Sequence, residues 1–180
     1  DDSEYPGGYL ITYDPRNDTA RNLGMPYEKQ GIADVVADES RGLIYVVTCE
    51  DQHWMLYDTK TKKFTELGPM LTPYATTLMD AEGKAHALTK DFQLATYDPA
   101  TKKVYRRPIG IGGKTFTRES RSSIPTWNLD ADGRTAWLIL MNDAHLLSID
   151  LSSKGKNAMG ANHGLMLKGE RPDSRSPLTI

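Results

Sequence analysis

Cationic side chains recur at one position of a repeated pattern, and their spacing suggests that they bind an anion. Lys29 and Arg121 each stand nine residues before a turn aspartate, and a similar segment near the C-terminus places Arg175 at the next equivalent point; the remaining copy has Leu71 there. Two neighbouring guanidinium groups could hold one carboxylate or phosphate through their paired N–H groups. The alternative is that each arginine pairs with its nearby acid, Glu119 or Asp173, or stays solvated.

A second register carries groups that could ligate a metal or move a proton. His53, Gln93 and His145 each stand four residues ahead of a repeated Tyr/Ile–Asp pair. Imidazole is both a metal ligand and a proton carrier near neutral pH, so His53 and His145 are the catalytic candidates and Gln93 is a ligand-contact candidate. The alternative is ordinary turn chemistry, in which aspartates two residues earlier cap the loops and the histidines are surface residues. No metal site is assigned.

The element that must position these residues is an internal repeat. Its clearest mark is a Tyr/Ile–Asp pair, repeated at spacings of 44, 40 and 52 residues. The four copies are Tyr13–Asp14, Tyr57–Asp58, Tyr97–Asp98 and Ile149–Asp150. An Asp-and-Gly turn followed by a β-rich stretch precedes each of the last three copies, as hairpins favour. Four short strands at a period near 40 to 50 residues are typical of a propeller blade, and sustained helical periodicity is absent.

Two segments carry a resemblance to known proteins. The phrases Leu94–Lys102 and Asp130–Trp137 resemble the blade signature of the β-propeller superfamily of quinoprotein-like, lactonase-like and streptogramin-lyase-like repeats. The resemblance implies an all-β fold of four-stranded antiparallel blades, and it implies no activity, because the matching residues are structural. Propeller-type polysaccharide lyases use His and Gln around a metal or as a base, which raises the same possibility for the register of His53.

Blade counting predicts a segment of a larger ring. We expect a partial blade in residues 1–24, complete blades in 25–68, 69–110 and 111–158, and a loop with the first strand of a further blade in 159–180. The third complete blade begins with a long loop. Such rings commonly have seven or eight blades, so the remaining blades would come from a longer chain or from further copies. Trp127, on a predicted first strand, could stack on a sugar if it faces the central channel; packing within the blade is the alternative.

Composition excludes some classes of function. The formal net charge is −2, so no basic excess favours nucleic acid, and no apolar run approaches the roughly 18 residues of a membrane span. One cysteine leaves the compartment open, with the periplasm or the exterior favoured. The cofactor is not specified.

Three functions remain in competition. The first is a ligand- or protein-binding module with an anion site at the channel mouth, whose partner could be an acidic glycan or a small anion. The alternative is a lyase or hydrolase acting on uronic-acid-containing glycans. A quinoprotein-type dehydrogenase ranks third, because no cofactor pocket is recognisable.

Overall fold

The computed structural model describes residues 4–68, 70–74, 76–116, 127–140 and 144–166. These residues form fifteen β-strands and no α-helix, which confirms the all-β fold. Over the same ranges, no helix has the length and apolar character that crossing a bilayer requires. The chain divides into two compact units, Asp1–Gly68 and Pro69–Ile180.

The first unit contains a two-stranded hairpin and a four-stranded antiparallel sheet. The hairpin strands are β1 (Leu10–Asp14) and β2 (Thr19–Gly24); the sheet strands are β3 (Gly31–Asp38), β4 (Leu43–Cys49), β5 (Trp54–Asp58) and β6 (Lys63–Glu66). The sheet has the order β3-β4-β5-β6, in which every neighbour in space is also the neighbour in sequence. This meander has the four-stranded antiparallel arrangement that the sequence predicts for a blade.

The burial of each strand follows from its composition. The central strand β4 has the sequence Leu-Ile-Tyr-Val-Val-Thr-Cys, and its residues Ile44 to Thr48 are all buried. A continuous run of β-branched and aromatic residues is expected of a strand covered on both faces. The outer strand β6 is mostly exposed. The core of this unit consists of Leu10, Ile44, Val46, Met55 and Tyr57.

The second unit contains two further meanders and one short extra strand. The first comprises β7 (Leu78–Met79), β8 (Ala85–Leu88), β9 (Gln93–Asp98) and β10 (Lys103–Ile111), with β11 (Lys114–Thr115) paired to the end of β10; the second comprises β12 (Trp127–Leu129), β13 (Thr135–Ile139), β14 (His145–Asp150) and β15 (Ala158–Leu165). Gly112 and Gly113 connect β10 to β11 with φ values of 57° and 79°. Two consecutive positive φ angles characterise a tight hairpin turn.

The two meanders of the second unit are joined at their outer strands. A short parallel ladder pairs Ile109 with Ala158 and Ile111 with Gly160. Gly160 lies at a point of close approach, since a Cβ there would be 3.1 Å from Ile111 Cγ1 and 3.2 Å from Ser148 O. The repeat pattern does not predict this ladder, because it treats each blade as a separate sheet.

The last blade ends later than the sequence suggests. The sequence predicts that it finishes at residue 158 and is followed by a loop, whereas β15 runs from Ala158 to Leu165. The cause is the turn after β14, which spans residues 151–157, whereas the corresponding turn between β5 and β6 spans only 59–62. The further strand expected near the C-terminus lies outside the described residues.

The repeated Asp of the Tyr/Ile–Asp pairs is a turn former. In each copy its Oδ1 accepts a bond from the backbone N–H two residues later. The donor–acceptor pairs are Arg16–Asp14 at 3.0 Å, Lys60–Asp58 at 2.8 Å, Ala100–Asp98 at 2.9 Å and Ser152–Asp150 at 2.9 Å. The side chain thus supplies the acceptor that starts the hairpin. The most regular mark in the sequence is therefore explained by local structure.

Candidate functional site

The candidate residues lie at one end of each blade. In a four-stranded meander, the connections between strands one and two and between three and four lie at one end, and the remaining connection lies at the other. His53 immediately precedes β5, while Gln93 and His145 begin β9 and β14, so all three stand where a third strand starts. Their carbonyl oxygens accept equivalent bonds from Thr48, Thr89 and Leu140, at 3.0, 3.0 and 3.2 Å. The three residues therefore share one structural position.

His53 is held by a carboxylate and an aromatic ring. Its Nδ1 lies 2.7 Å from Glu66 Oε1, and its side chain is 12% exposed. Tyr27 stacks on the imidazole with ring centroids 3.7 Å apart and an interplanar angle of 14°. A carboxylate at Nδ1 fixes the ring orientation and favours the tautomer in which Nε2 can accept a proton. The arrangement could serve a general base or a recognition contact.

Gln93 and His145 are bonded within their own blades. Gln93 Nε2 donates to Asp91 Oδ2 at 2.8 Å, and the Gln93 backbone N–H donates to Thr89 Oγ1 at 2.9 Å. His145 Nδ1 lies 2.9 Å from the amide of Asn162. Within the described ranges, no three His, Cys, Asp or Glu side chains gather as a metal-ligand cluster. These contacts are those of loop-stabilising residues.

Lys29 lies in the loop directly before β3, the first strand of its blade. Its backbone has φ = 58°, its N–H donates to Pro6 O at 2.9 Å, and its side chain is exposed. No carboxylate in the described part of the chain forms an ion pair with it. Arg121 and Arg175 lie outside the described residues. Their binding of one anion together therefore stays a prediction.

Trp127 is a core residue in this structure. The side chain is only 2% exposed, and its Nε1 donates to Thr76 O at 3.0 Å. It belongs to the apolar cluster of the second unit together with Leu138 and Leu147. This placement supports packing, the alternative to stacking on a sugar.

Sequence reasoning missed a buried polar chain around His86. The imidazole is 1% exposed; its Nε2 lies 2.9 Å from Asp80 Oδ2, and its Nδ1 lies 3.0 Å from Thr96 Oγ1. Burial alone would raise the pKa of Asp80, but the bond from His86 and those from the backbone N–H groups of Lys84 and Glu82 outweigh it. The pKa of Asp80 is therefore lowered.

The next blade repeats this contact with a different ring. Trp137 Nε1 donates to Asp130 Oδ2 at 3.0 Å. The strand pairings Leu78↔His86 and Asn128↔Trp137 put the two rings at the same position of their blades. The signal in the sequence is a turn aspartate followed six or seven residues later by a ring with an N–H group.

Comparisons with known proteins identify the fold. No protein-family model matches the chain, and no curated protein matches it either. Among solved structures, Kuenenia stuttgartiensis hydrazine synthase superposes with a TM-score of 0.56 at 13% identity, covering 87% of this chain and 43% of that chain. An auxiliary nutrient-binding protein from Bacteroides thetaiotaomicron gives 0.54 at 14% identity, covering 92% and 44%.

A third similar structure is a putative 6-phosphogluconolactonase from Bacteroides uniformis, with a TM-score of 0.51 at 9% identity, covering 90% of this chain and 51% of that chain. The chain thus spans about half the length of these three proteins or less. The similar structures are β-propeller-like, which together with the successive meanders confirms the propeller architecture. Identities this low are informative about the fold alone.

Proposed function

We propose that the chain is a ligand-binding β-propeller module that holds an anionic group where the first strands of its blades begin. The carrying observation is Lys29, an exposed ammonium group without an ion-pair partner among the described residues. In the repeat, Arg121 and Arg175 occupy the equivalent positions. A cation at this position of a blade would attract a carboxylate or phosphate group.

The loop that carries Lys29 is fixed by its neighbours. The Lys29 N–H bonds to Pro6 O, and the Gly8 N–H donates to Gln30 O at 2.8 Å. The Gln30 side chain bonds to Asp51 in both directions, at 3.2 Å and 3.0 Å. A loop held on both sides has little backbone entropy left to lose on binding, which favours recognition.

Binding explains the polar residues better than catalysis does. The recurring aspartates form turns, and Gln93 and His145 are engaged within their own blades. Side chains whose hydrogen bonds hold a turn in place cannot easily move toward a substrate. The repeated motifs therefore support a rigid scaffold whose loops vary.

Calorimetric titration with galacturonate oligomers and citrate at low salt tests the proposal. Substituting Lys29, Arg121 and Arg175 by alanine should weaken anion binding at least about tenfold, the loss of roughly one charged hydrogen bond. Lys62→Ala is the matched control, because this exposed lysine has the same backbone conformation, with φ = 57°, in a turn between strands three and four of its blade. Equal loss in the control, or no binding by the unaltered protein, would contradict the proposal.

A second candidate is a lyase or hydrolase acting on uronic-acid-containing glycans. The favouring observation is His53, whose Nδ1 is held by Glu66 at 2.7 Å while Tyr27 covers one ring face. In a β-elimination the imidazole would take the proton beside the uronate carboxylate as the glycosidic C–O bond breaks. The unsaturated product absorbs ultraviolet light, so a spectrophotometric assay detects it.

The variant His53→Ala distinguishes the two candidate functions. Turnover that His53→Ala abolishes and His163→Ala leaves intact would favour the enzyme, since His163 is exposed and bonds to Ser148 instead. The assay should cover a panel of uronic-acid polymers, with and without divalent metal. If no product forms from any of them, the result would favour the binding module over the enzyme.

A further inference from the structure

A charged cleft lies at the other end of the blades, where strands one and two are joined. Within the second unit, a cavity of about 320 Å³ is bounded by the turn before β8, by the outer strand β10 and by the turn after β14. Its polar and aromatic lining includes Glu82, Lys84, Tyr105, Arg107, Ser153 and Lys154. The volume is at the lower end of the range for small-molecule sites.

The charges around this cleft are not balanced. Lys84 Nζ is paired with Glu82 Oε2 at 2.6 Å. Arg107 and Lys154 form no ion pair with any carboxylate in the described ranges. The lining therefore carries two positive charges without a counter-charge, and a partly enclosed cleft intensifies their field.

Arg107 is the centre of this imbalance. Its guanidinium donates to Ser153 O, and it reaches Ser153 Oγ at 3.3 Å and Leu151 O at 3.5 Å, all neutral acceptors. Its Nε is buried and has no acceptor among the described residues. A half-buried cation with neutral partners bears a desolvation cost that an anion in the cleft would offset. The bonds to the turn also hold the group in place for a ligand.

Tyr105 provides a surface for the body of a ligand. It stands two residues from Arg107 on β10, and alternate residues of a strand share a face. The side chain is 40% exposed and lines the same cleft. A ligand of this cleft would therefore have two parts, a charged group that contacts Arg107 and a ring that packs against Tyr105.

We propose that this cleft binds a small oxyanion, a carboxylate or phosphate ester, carried on a ring-sized polar molecule such as a sugar acid or sugar phosphate. Arg107 and Lys154 bind the oxyanion, and Tyr105 contacts the ring. The inference does not depend on the anion site proposed at the opposite end of the blades, and different residues test it.

Calorimetric titration with glucose 6-phosphate, glucuronate and inorganic phosphate examines the site. Arg107→Ala and Lys154→Glu should each weaken binding of the sugar anions at least about tenfold. Arg106→Ala should leave it unchanged, because Arg106 is exposed on the opposite face of the same strand. Tyr105→Ala should weaken glucose 6-phosphate and not inorganic phosphate.

The outcomes separate a site from general attraction. Equal loss in Arg106→Ala, or no binding by any of the three probes, would overturn the proposal; inorganic phosphate binding as tightly as glucose 6-phosphate would overturn the ring contact. Arg107 also ties β10 to the turn after β14, so circular dichroism must show that Arg107→Ala is folded. If it is not, Lys154→Glu decides, because Lys154 is exposed and bears no such tie.

Discussion

His86 shows how a polar side chain can be accommodated in the interior of a blade. Buried imidazole is tolerated only when both ring nitrogens are satisfied, and Asp80 and Thr96 satisfy them. In the neutral tautomer that carries the proton on Nε2, the ring donates to Asp80 and accepts from the Thr96 hydroxyl. The chain Asp80–His86–Thr96 therefore links the first turn of the blade to its second and third strands.

Removing the charge of Asp80 should destabilise the second unit in a pH-dependent way. Because the pKa of Asp80 in the folded protein lies below its ordinary value of 3.8, its ionised form stabilises the fold above that pH. The stabilisation is lost as the pH falls through the lower folded value. At pH 7, Asp80→Asn should lower the free energy of unfolding by about 1–3 kcal/mol, and the difference from the unaltered protein should shrink toward pH 3.

Urea unfolding at pH 7 and pH 3 measures this difference. The control is Glu82→Gln in the same turn, where an exposed pair with Lys84 should contribute less than about 1 kcal/mol. A deficit in Asp80→Asn that is the same at both pH values would show that shape, and not charge, is what the turn requires.

The elements differ in how far the sequence predicts them. The hairpins were predictable because Asp58, Asp98 and Asp150 form their turns by local bonding, which a repeat records at fixed spacing. The extent of β15 was not, because the turn before it, residues 151–157, is longer than the equivalent turn 59–62. Its ladder with β10 was not predictable either, because it joins residues far apart in sequence. From the sequence alone, Gly160 resembles an ordinary loop residue, because its pairing with β10 is not visible there.

Gly160→Ala tests the ladder between the outer strands. The added Cβ would meet Ile111 at 3.1 Å, Ile109 at 3.2 Å and the Ser148 carbonyl oxygen at 3.2 Å, so at least one neighbour must shift. We expect a loss of about 1–3 kcal/mol in the free energy of unfolding, as for overpacked cores. The control is Gly155→Ala, where the nearest atom, Asn157 O, is 3.5 Å away. Thermal unfolding that ranks both variants equally would argue against a tight β10–β15 contact.

At the scale of the whole molecule, the repeat predicts the architecture and not the site. Periodic hydrophobic strands and turn residues determine a blade wherever they occur, so the propeller fold could be inferred from the sequence. A site depends on which polar groups remain free after the turns have formed. His53 and Gln93 share one position, yet one is held by Glu66 and the other by Asp91. Spacing alone does not distinguish these partners.

Unequal burial within the first unit predicts unequal stability, and amide hydrogen exchange measures it. Residues Ile44 to Thr48 of β4 are buried and paired on both sides, whereas Ile11 and Tyr13 of β1 are each 59% exposed. The β1–β2 hairpin is a two-stranded sheet, and such pairs are marginal on their own. Its amides should therefore exchange on the order of a hundredfold faster than those of β4.

The same experiment detects any partner that covers the hairpin. If the amides of β1 were as well protected as those of β4, the expected order of exchange rates would be wrong. Another surface would then have to cover Ile11 and Tyr13. Repeating the exchange at about one tenth of the protein concentration identifies the source, because contacts between copies weaken on dilution by mass action and contacts within one chain do not. Fast exchange in β1 at both concentrations would instead confirm the expected order of stability within the first unit.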